Sequence, residues 1–172
     1  MFNNFKADIK RYTQLKKSIY TLFEQGLWAI AVYRFGREVR KARLPVISFL
    51  LKIFAFLLFK LTEIFTGISL PASAQIGKGF YVGHFGGIIL HSDVQMGENC
   101  SIGPGVLIGT RGGGRKGVPI IGNNVYIGVG AKILGGIKIG NSVKVGANAV
   151  VLEDVPDDAT VAGVPAKIVR QK

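Results

Sequence analysis

Only one cysteine, Cys100, stands in the 172 residues, so no disulfide can close within the chain, and the thiol usage fits a reducing compartment. Histidine is nearly as scarce, with His84 and His91 alone, and no grouping of His, Cys and carboxylates has the spacing of metal ligands, so no metal is implied. Acidic residues number 10 against 22 lysines and arginines, for a formal charge of +12. The opening residues lack the charged, apolar and small-residue stretches of a secretory signal, and the expectation is a cytoplasmic protein. Long apolar runs are missing as well. Residues 44–59, LPVISFLLKIFAFLLF, are broken by Lys52 and stopped by Lys60 and Glu63, short of the roughly 20 residues of a membrane span.

What is present begins with cations. Lys6, Lys10, Arg11, Lys16, Lys17, Arg34, Arg37, Arg40, Lys41 and Arg43 all precede residue 44. Such a module suits an anionic membrane surface, a phosphate-bearing ligand or nucleic acid. Nucleic acid ranks last, because the cations lead into an apolar helix and carry little aromatic interleaving. That apolar helix has two compatible expectations: it lies peripherally on the cytoplasmic face of the inner membrane, or it packs inside an oligomer.

With 48% hydrophobic residues the chain can bury a core, and its length fits one domain with a small appended part. Helical patterning covers segments near Phe5–Gln25, Gly26–Arg43 and Pro45–Phe65. From Gly67 to Gly163 glycine becomes frequent and Val and Ile dominate, which favours short strands joined by tight turns. We divide the chain into a basic and apolar α-helical region 1–69, a β domain 70–168 and a tail 169–172.

A six-residue step organises the β domain. It runs through Ile76, Val82, Ile88, Val94, Cys100 and Val106, and again through Ile121, Ile127, Ile133, Ile139, Val145 and Val151. Every position is apolar, and Cys100 falls among them as a core residue. Repeated dipeptides such as Ile76-Gly77, Ile127-Gly128 and Val145-Gly146 add turns at the same interval. A period of six suits a coil of three short flat faces whose parallel strands stack on those above and below, and neither an α-helix nor a hairpin sheet produces it. The 15-residue gap from Val106 to Ile121 is not a multiple of six, so chain leaves the coil at residues 110–118, TRGGGRKGV. Loops that interrupt a repeat gather on the binding side.

This pattern resembles the hexapeptide-repeat acyltransferases. The resemblance implies a mainly β protein, a left-handed parallel β-helix (hexapeptide-repeat solenoid) preceded by a small α-helical N-terminal region. GLWAIAVYRFG at 26–36, IGKGFYVGHFGGIIL at 76–90, the glycine-rich loop and GANAVVLEDVPDDATVAGVPAKIV at 146–169 are together similar to serine O-acetyltransferase over almost the whole chain. The AGVPAK signature is the strongest piece.

Acyl transfer to a hydroxyl needs a base near neutral pKa, which histidine supplies. His84, in VGHFGG, has glycines that admit a substrate; His91, in ILHSD, is the other candidate. The resemblance selects His84 as general base in direct transfer from acetyl-CoA. It also places the CoA arm in a groove between coils at Gly109, Thr110, Val129 and Ala147, with Lys167 and Arg170 toward the nucleotide phosphates. It further implies a homotrimer, with a dimer of trimers through the N-terminal helices as an extension.

The departures shape the expected acceptor, which involves Ser69, Gly83, Phe85, Arg115 and Lys116. In serine acetyltransferases the base follows an aspartate and pairs with an earlier acidic residue; here those places read Gly83 and Ser69. The family's Arg-His before a loop proline reads Gly117-Val118 before Pro119, and its N-terminal Asp-Pro reads Arg11-Tyr12. Losing several partners of an amino acid's charged ends weakens its binding. The expectation is therefore a sugar hydroxyl of an exopolysaccharide or capsule precursor, free or lipid-linked, as for the acetyltransferases of colanic-acid-type gene clusters. The alternatives are a serine O-acetyltransferase of cysteine biosynthesis and a non-catalytic β-helix scaffold at the membrane.

Overall fold

The computed structural model describes residues 2–16, 19–41, 45–113 and 116–171. Three helices come first: α1 (Phe2–Lys16), α2 (Gln25–Lys41) and α3 (Pro45–Thr66), with a 3-10 turn at Ile19–Phe23 between α1 and α2. Pro45 stands at the first position of α3, where its missing N–H costs nothing.

The rest is a left-handed parallel β-helix of short strands: β1 (Ile68–Ser69), β2 (Gln75–Ile76), β3 (Tyr81–Val82), β4 (Ile88–Leu90), β5 (Gln95–Met96), β6 (Ser101–Ile102), β7 (Leu107–Gly109), β8 (Ile120–Ile121), β9 (Tyr126–Ile127), β10 (Lys132–Leu134), β11 (Lys138–Ile139), β12 (Lys144–Val145), β13 (Val150–Val151), β14 (Ala159–Gly163) and β15 (Ala166–Gln171). They form three faces. Face A stacks β1-β4-β7-β10-β13, face B stacks β2-β5-β8-β11, and face C stacks β3-β6-β9-β12-β14 with β15 antiparallel at its end. The pairing of β15 takes in residues 169–171, expected as a tail.

All twelve positions of the six-residue step are buried, Cys100 completely. They do not share one structural position, however. Around each parallel strand two residues two apart are buried, such as Ala74 and Ile76, Val94 and Met96, Val125 and Ile127. The pairing partners Ile76 and Met96 lie 20 residues apart, Met96 and Ile121 lie 25 apart, and Ile121 and Ile139 lie 18 apart. Only the last is three hexads. Two residues are thus inserted between Val82 and Ile88, and seven between Ile108 and Ile121. The first insertion holds His84, and the six-step passed over it because it landed on Ile88, which is also buried.

Left-handed backbone recurs rung after rung at two of the three corners, and the third, between faces A and B, has it at Gly117 and Gly135. Between faces C and A it falls on Gly67, Gly87, Gly105, Gly130 and Asn148; between faces B and C on Gly79, Asn99, Asn124, Ser142 and Asp158. Glycine and asparagine take this conformation at least cost, which is why they punctuate the repeat.

Buried polar ties fasten α1 and α2 to the coil. Asp8 accepts from Arg34 Nε (2.9 Å), Arg34 Nη2 (3.2 Å) and the Phe80 N–H (2.8 Å), while Arg34 donates on to the carbonyls of Ile76 and Gly77. Tyr12 donates to the Val82 carbonyl (2.9 Å) and accepts the Val82 N–H (3.0 Å); Tyr33 does the same with the Ala74 carbonyl and the Ile76 N–H. These hydroxyls stand where a further parallel strand would pair, so they satisfy backbone groups that the first rung leaves open. Gly26 permits the approach, since a Cβ there would lie 2.6 Å from Tyr12 Oη and 2.7 Å from the Val82 carbonyl oxygen.

Candidate active site

His84 lies in the widened corner between β3 and β4. Its side chain is exposed and makes no hydrogen bond among the described residues. The corner needs its glycines: Gly86 (φ 99°) and Gly87 (φ 65°) both occupy the left-handed half of backbone space. Backbone bonds fix this turn against the end of α3, with Gly86 N–H donating to the Thr66 carbonyl (2.8 Å) and Ile88 N–H to the Gly67 carbonyl (3.0 Å). Phe85 beside it is 55% exposed, an apolar side chain held in solvent at the rim of the corner.

Above His84 the same corner repeats. Gly105 N–H donates to the Gly86 carbonyl, Gly130 N–H to Pro104, and Asn148 N–H to Val129. This ladder puts Val129 and Ala147 in one column with His84. Val129 is 50% exposed, and a Cβ on Gly128 would lie 2.7 Å from the Ala147 nitrogen, so the column is a shallow edge with close backbone contact between rungs.

Gly109 and Thr110 are elsewhere. They begin the excursion at the corner between faces A and B, where Gly109 is buried and packs 3.7 Å from His91 Cβ when a Cβ is placed on it. Lys116 emerges exposed from the far side of that loop, and Arg115 lies outside the described residues. His91 accepts the Asp93 N–H at Nδ1 (3.2 Å), a local turn contact on this second edge. Lys167 and Arg170 are exposed on β15, against Ala162 and Thr160 of β14. The expected residues therefore fall on two edges that flank face A, plus the last strand.

Ser69 sits on the outer side of β1, beside the end of α3. Nearby on α3, the Glu63 carboxylate accepts from Lys60 (2.7 Å). Lys60 first, and the nearby Ser69 side chain second, hold Glu63 below its ordinary carboxylate range. Glu63 was not among the residues singled out in the sequence, where it reads as a polar stop to an apolar helix. Only the left-handed turn at Gly67 (φ 65°) folds β1 back onto the last turn of α3.

Arg11 and Tyr12, which stand in place of an Asp-Pro, are committed to the coil. Arg11 Nη2 donates to Ser101 Oγ (2.9 Å), and burial pushes the Tyr12 phenol well above its ordinary value. Among the described residues there is no group of three or more His, Cys, Asp or Glu that could hold a metal ion, and no helix long and apolar enough to cross a membrane.

The coil is of the kind built from six-residue repeats, and residues 119–153 match the family model described as bacterial transferase hexapeptide (six repeats). The chain is 37% identical over 146 residues to the serine acetyltransferase of Synechococcus elongatus, covering 84% of this chain and 57% of that protein. It is 42% identical over 120 residues to that of Staphylococcus xylosus, covering 69% and 56%. The chain thus spans little more than half the length of these relatives. The crystal structure of Neisseria gonorrhoeae serine acetyltransferase superposes with a TM-score of 0.85 at 32% identity, over 99% of this chain and 65% of that one. A serine acetyltransferase in complex with cysteine superposes at 0.83 and 31%, over 98% and 69%. The chain belongs to the serine acetyltransferase family.

These findings overturn the expectation of a sugar acceptor from an exopolysaccharide or capsule precursor. The relatives and structures that match across helices, coil and loop are serine acetyltransferases, and the substitutions at Ser69, Gly83, Gly117 and Val118 do not outweigh a likeness that spans the fold. The physical reason is that acceptor choice is a sum over the whole pocket. A lost carboxylate at one position does not by itself determine that sum.

Proposed function

We propose that this protein transfers the acetyl group of acetyl-CoA to the hydroxyl of serine. The observation that carries the reading is His84, exposed on a corner widened by two residues in a coil that is similar throughout to serine acetyltransferases. His84 takes the proton of the serine hydroxyl as that oxygen attacks the thioester carbonyl. A backbone N–H of the corner column stabilises the oxyanion, the C–S bond breaks, and the CoA thiolate leaves with the proton returned by His84. The products are O-acetylserine and CoA. Related crystal structures carry CoA in one case and cysteine in another, which supports a thiol cofactor and an amino acid of serine's size.

Val129 and Ala147 line the CoA groove above the base, with Gly109 and Thr110 supplied from the opposite edge of a neighbouring subunit and Lys116 of that edge turned to the acceptor, because one subunit holds these groups on two separate edges. That division favours a homotrimer in the cytoplasm, with helical residues 1–69 and coil 70–168 as its two parts. Lys167 and Arg170 lie at the nucleotide end.

Steady-state acetyl-CoA consumption with serine tests the reading. His84→Ala is expected to lower kcat by about 100-fold or more while light scattering still gives three times the 18.5 kDa of one chain. Unchanged turnover in that variant, or none with serine in the unmodified protein, would reject it.

A further inference from the structure

Helix α3 carries more exposed apolar surface than its packing on α2 requires. Leu50, Phe54, Leu57, Leu61, Ile64 and Phe65 are each 50–77% exposed along one side of the helix. A stripe of this length is rare on a surface that meets only water. Beside this stripe, between α3 and α2, lies a cavity of about 570 Å³, one of whose walls, Phe56, is itself 58% exposed. Its walls are apolar: Val32 and Val39 from α2, Phe56 and Phe59 from α3, and Leu70 and Pro71 from the turn after β1. Two cations join the lining, Arg40 and Lys52, and neither has an ion-pair partner among the described residues. Their neighbours are paired or bonded: Lys41 with Glu38, Lys60 with Glu63, and Arg37 with the Ala74 carbonyl.

An apolar cavity with two unpaired cations matches an amphiphile whose head is anionic. We propose that the α2–α3 side of the molecule docks on an acidic phospholipid surface, with Arg40 and Lys52 holding a lipid phosphate, an acyl chain entering the cavity, and the Leu50–Phe65 stripe bedded at the bilayer boundary. Charge complementarity selects this occupant. The chain carries +12, and a second copy docked symmetrically on the same side would bring a second Arg40 and Lys52 into the same interface, where the acids of these helices, Glu38 and Glu63, are already paired with Lys41 and Lys60. An anionic leaflet attracts the same cations, each adding to the binding. Because Lys52, Lys60 and Glu63 interrupt the helix, it lies on the surface and does not cross it. The inference is independent of the acetyl-transfer reading, since none of these residues belongs to the proposed site.

The test is co-sedimentation of the full chain with vesicles of phosphatidylcholine alone and of phosphatidylcholine containing phosphatidylglycerol. Binding to the acidic vesicles only, weakened by salt, is expected. The double reversal Arg40→Glu with Lys52→Glu is expected to lower partitioning about tenfold or more while serine-dependent turnover in solution is unchanged. Leu57→Glu with Leu61→Glu should lower partitioning without changing the mass by light scattering. Absence of binding, equal binding to neutral vesicles, or unaltered partitioning in the charge-reversed variant would overturn the proposal. So would a loss of assembly in the Leu57→Glu, Leu61→Glu variant with lipid binding intact, which would give the stripe to a second copy.

Discussion

At the scale of single residues, the coil converts small chemical facts into sharp consequences. Cys100 is fully buried, and its thiol donates weakly to the Gly122 carbonyl (3.2 Å). Burial pushes the thiol up to about 11, with Arg11 drawing it slightly back. The folded form therefore keeps the proton to higher pH than an ordinary thiol near 9. Its contribution to stability is complete below that value and is lost as pH rises toward 11. The thiolate is the reactive form, so Cys100 is expected to resist iodoacetamide at pH 8 in the native protein and to react once the chain is unfolded in urea. Mass spectrometry of the alkylated chain checks this. Gly87 provides a second case: its φ of 65° disfavours any Cβ, and Gly87→Ala is expected to cost about 1–2 kcal/mol in urea unfolding.

At the scale of elements, a two-residue strand cannot stand alone, and each is held by strands above and below and by the residue it turns inward. Ile127 is wholly buried, and its strand pairs on both sides, with Ile102 and Val145 opposite it. Ile127→Ala should lose about 2–5 kcal/mol, because the neighbouring rungs prevent the gap from closing. Tyr126→Ala, one residue away on the exposed outside of the same strand, should lose far less; parallel denaturation curves separate the two. The widened corner at His84 and the excursion after Thr110 are inserted into this ladder without breaking its pairing. A coil tolerates them because a corner contributes little to the stacked strands.

At the scale of the whole molecule, the helices are fastened to the first rung by Asp8, Tyr12, Tyr33 and Arg34. Removing one member of the buried Asp8–Arg34 pair leaves an uncompensated charge, so Asp8→Ala is expected to cost about 3–5 kcal/mol. A second change, Arg34→Met, should recover part of that loss, as a double-mutant cycle in urea would measure.

These ties were invisible in the sequence. Asp8 and Arg34 read there as one scattered acid and one of many cations, and nothing periodic links residue 8 to residue 80. The inward positions were visible because they recur, although the step of six blurred the paired positions at the His84 insertion. Arg11 and Tyr12 read as a missing acceptor element and proved to be a tie to face C. The departures at Ser69 and Gly83 read as the loss of an acceptor, and the wider likeness to serine acetyltransferases overruled them.

The sequence by itself determined the coil, its three faces, the buried set that includes Cys100, and the excursion at 110–118, but not the two-residue insertion that holds His84. A periodic pattern of apolar residues and turn formers is a local property, and every rung restates it. Tertiary structure alone decided which residues share an edge. His84 stands with Val129 and Ala147, Gly109 stands with His91, and Glu63 meets Ser69. Those groupings depend on how many residues each turn of the coil consumes and on where the last turn of α3 comes to rest. Both are set by packing between rungs and not by any pattern along the chain.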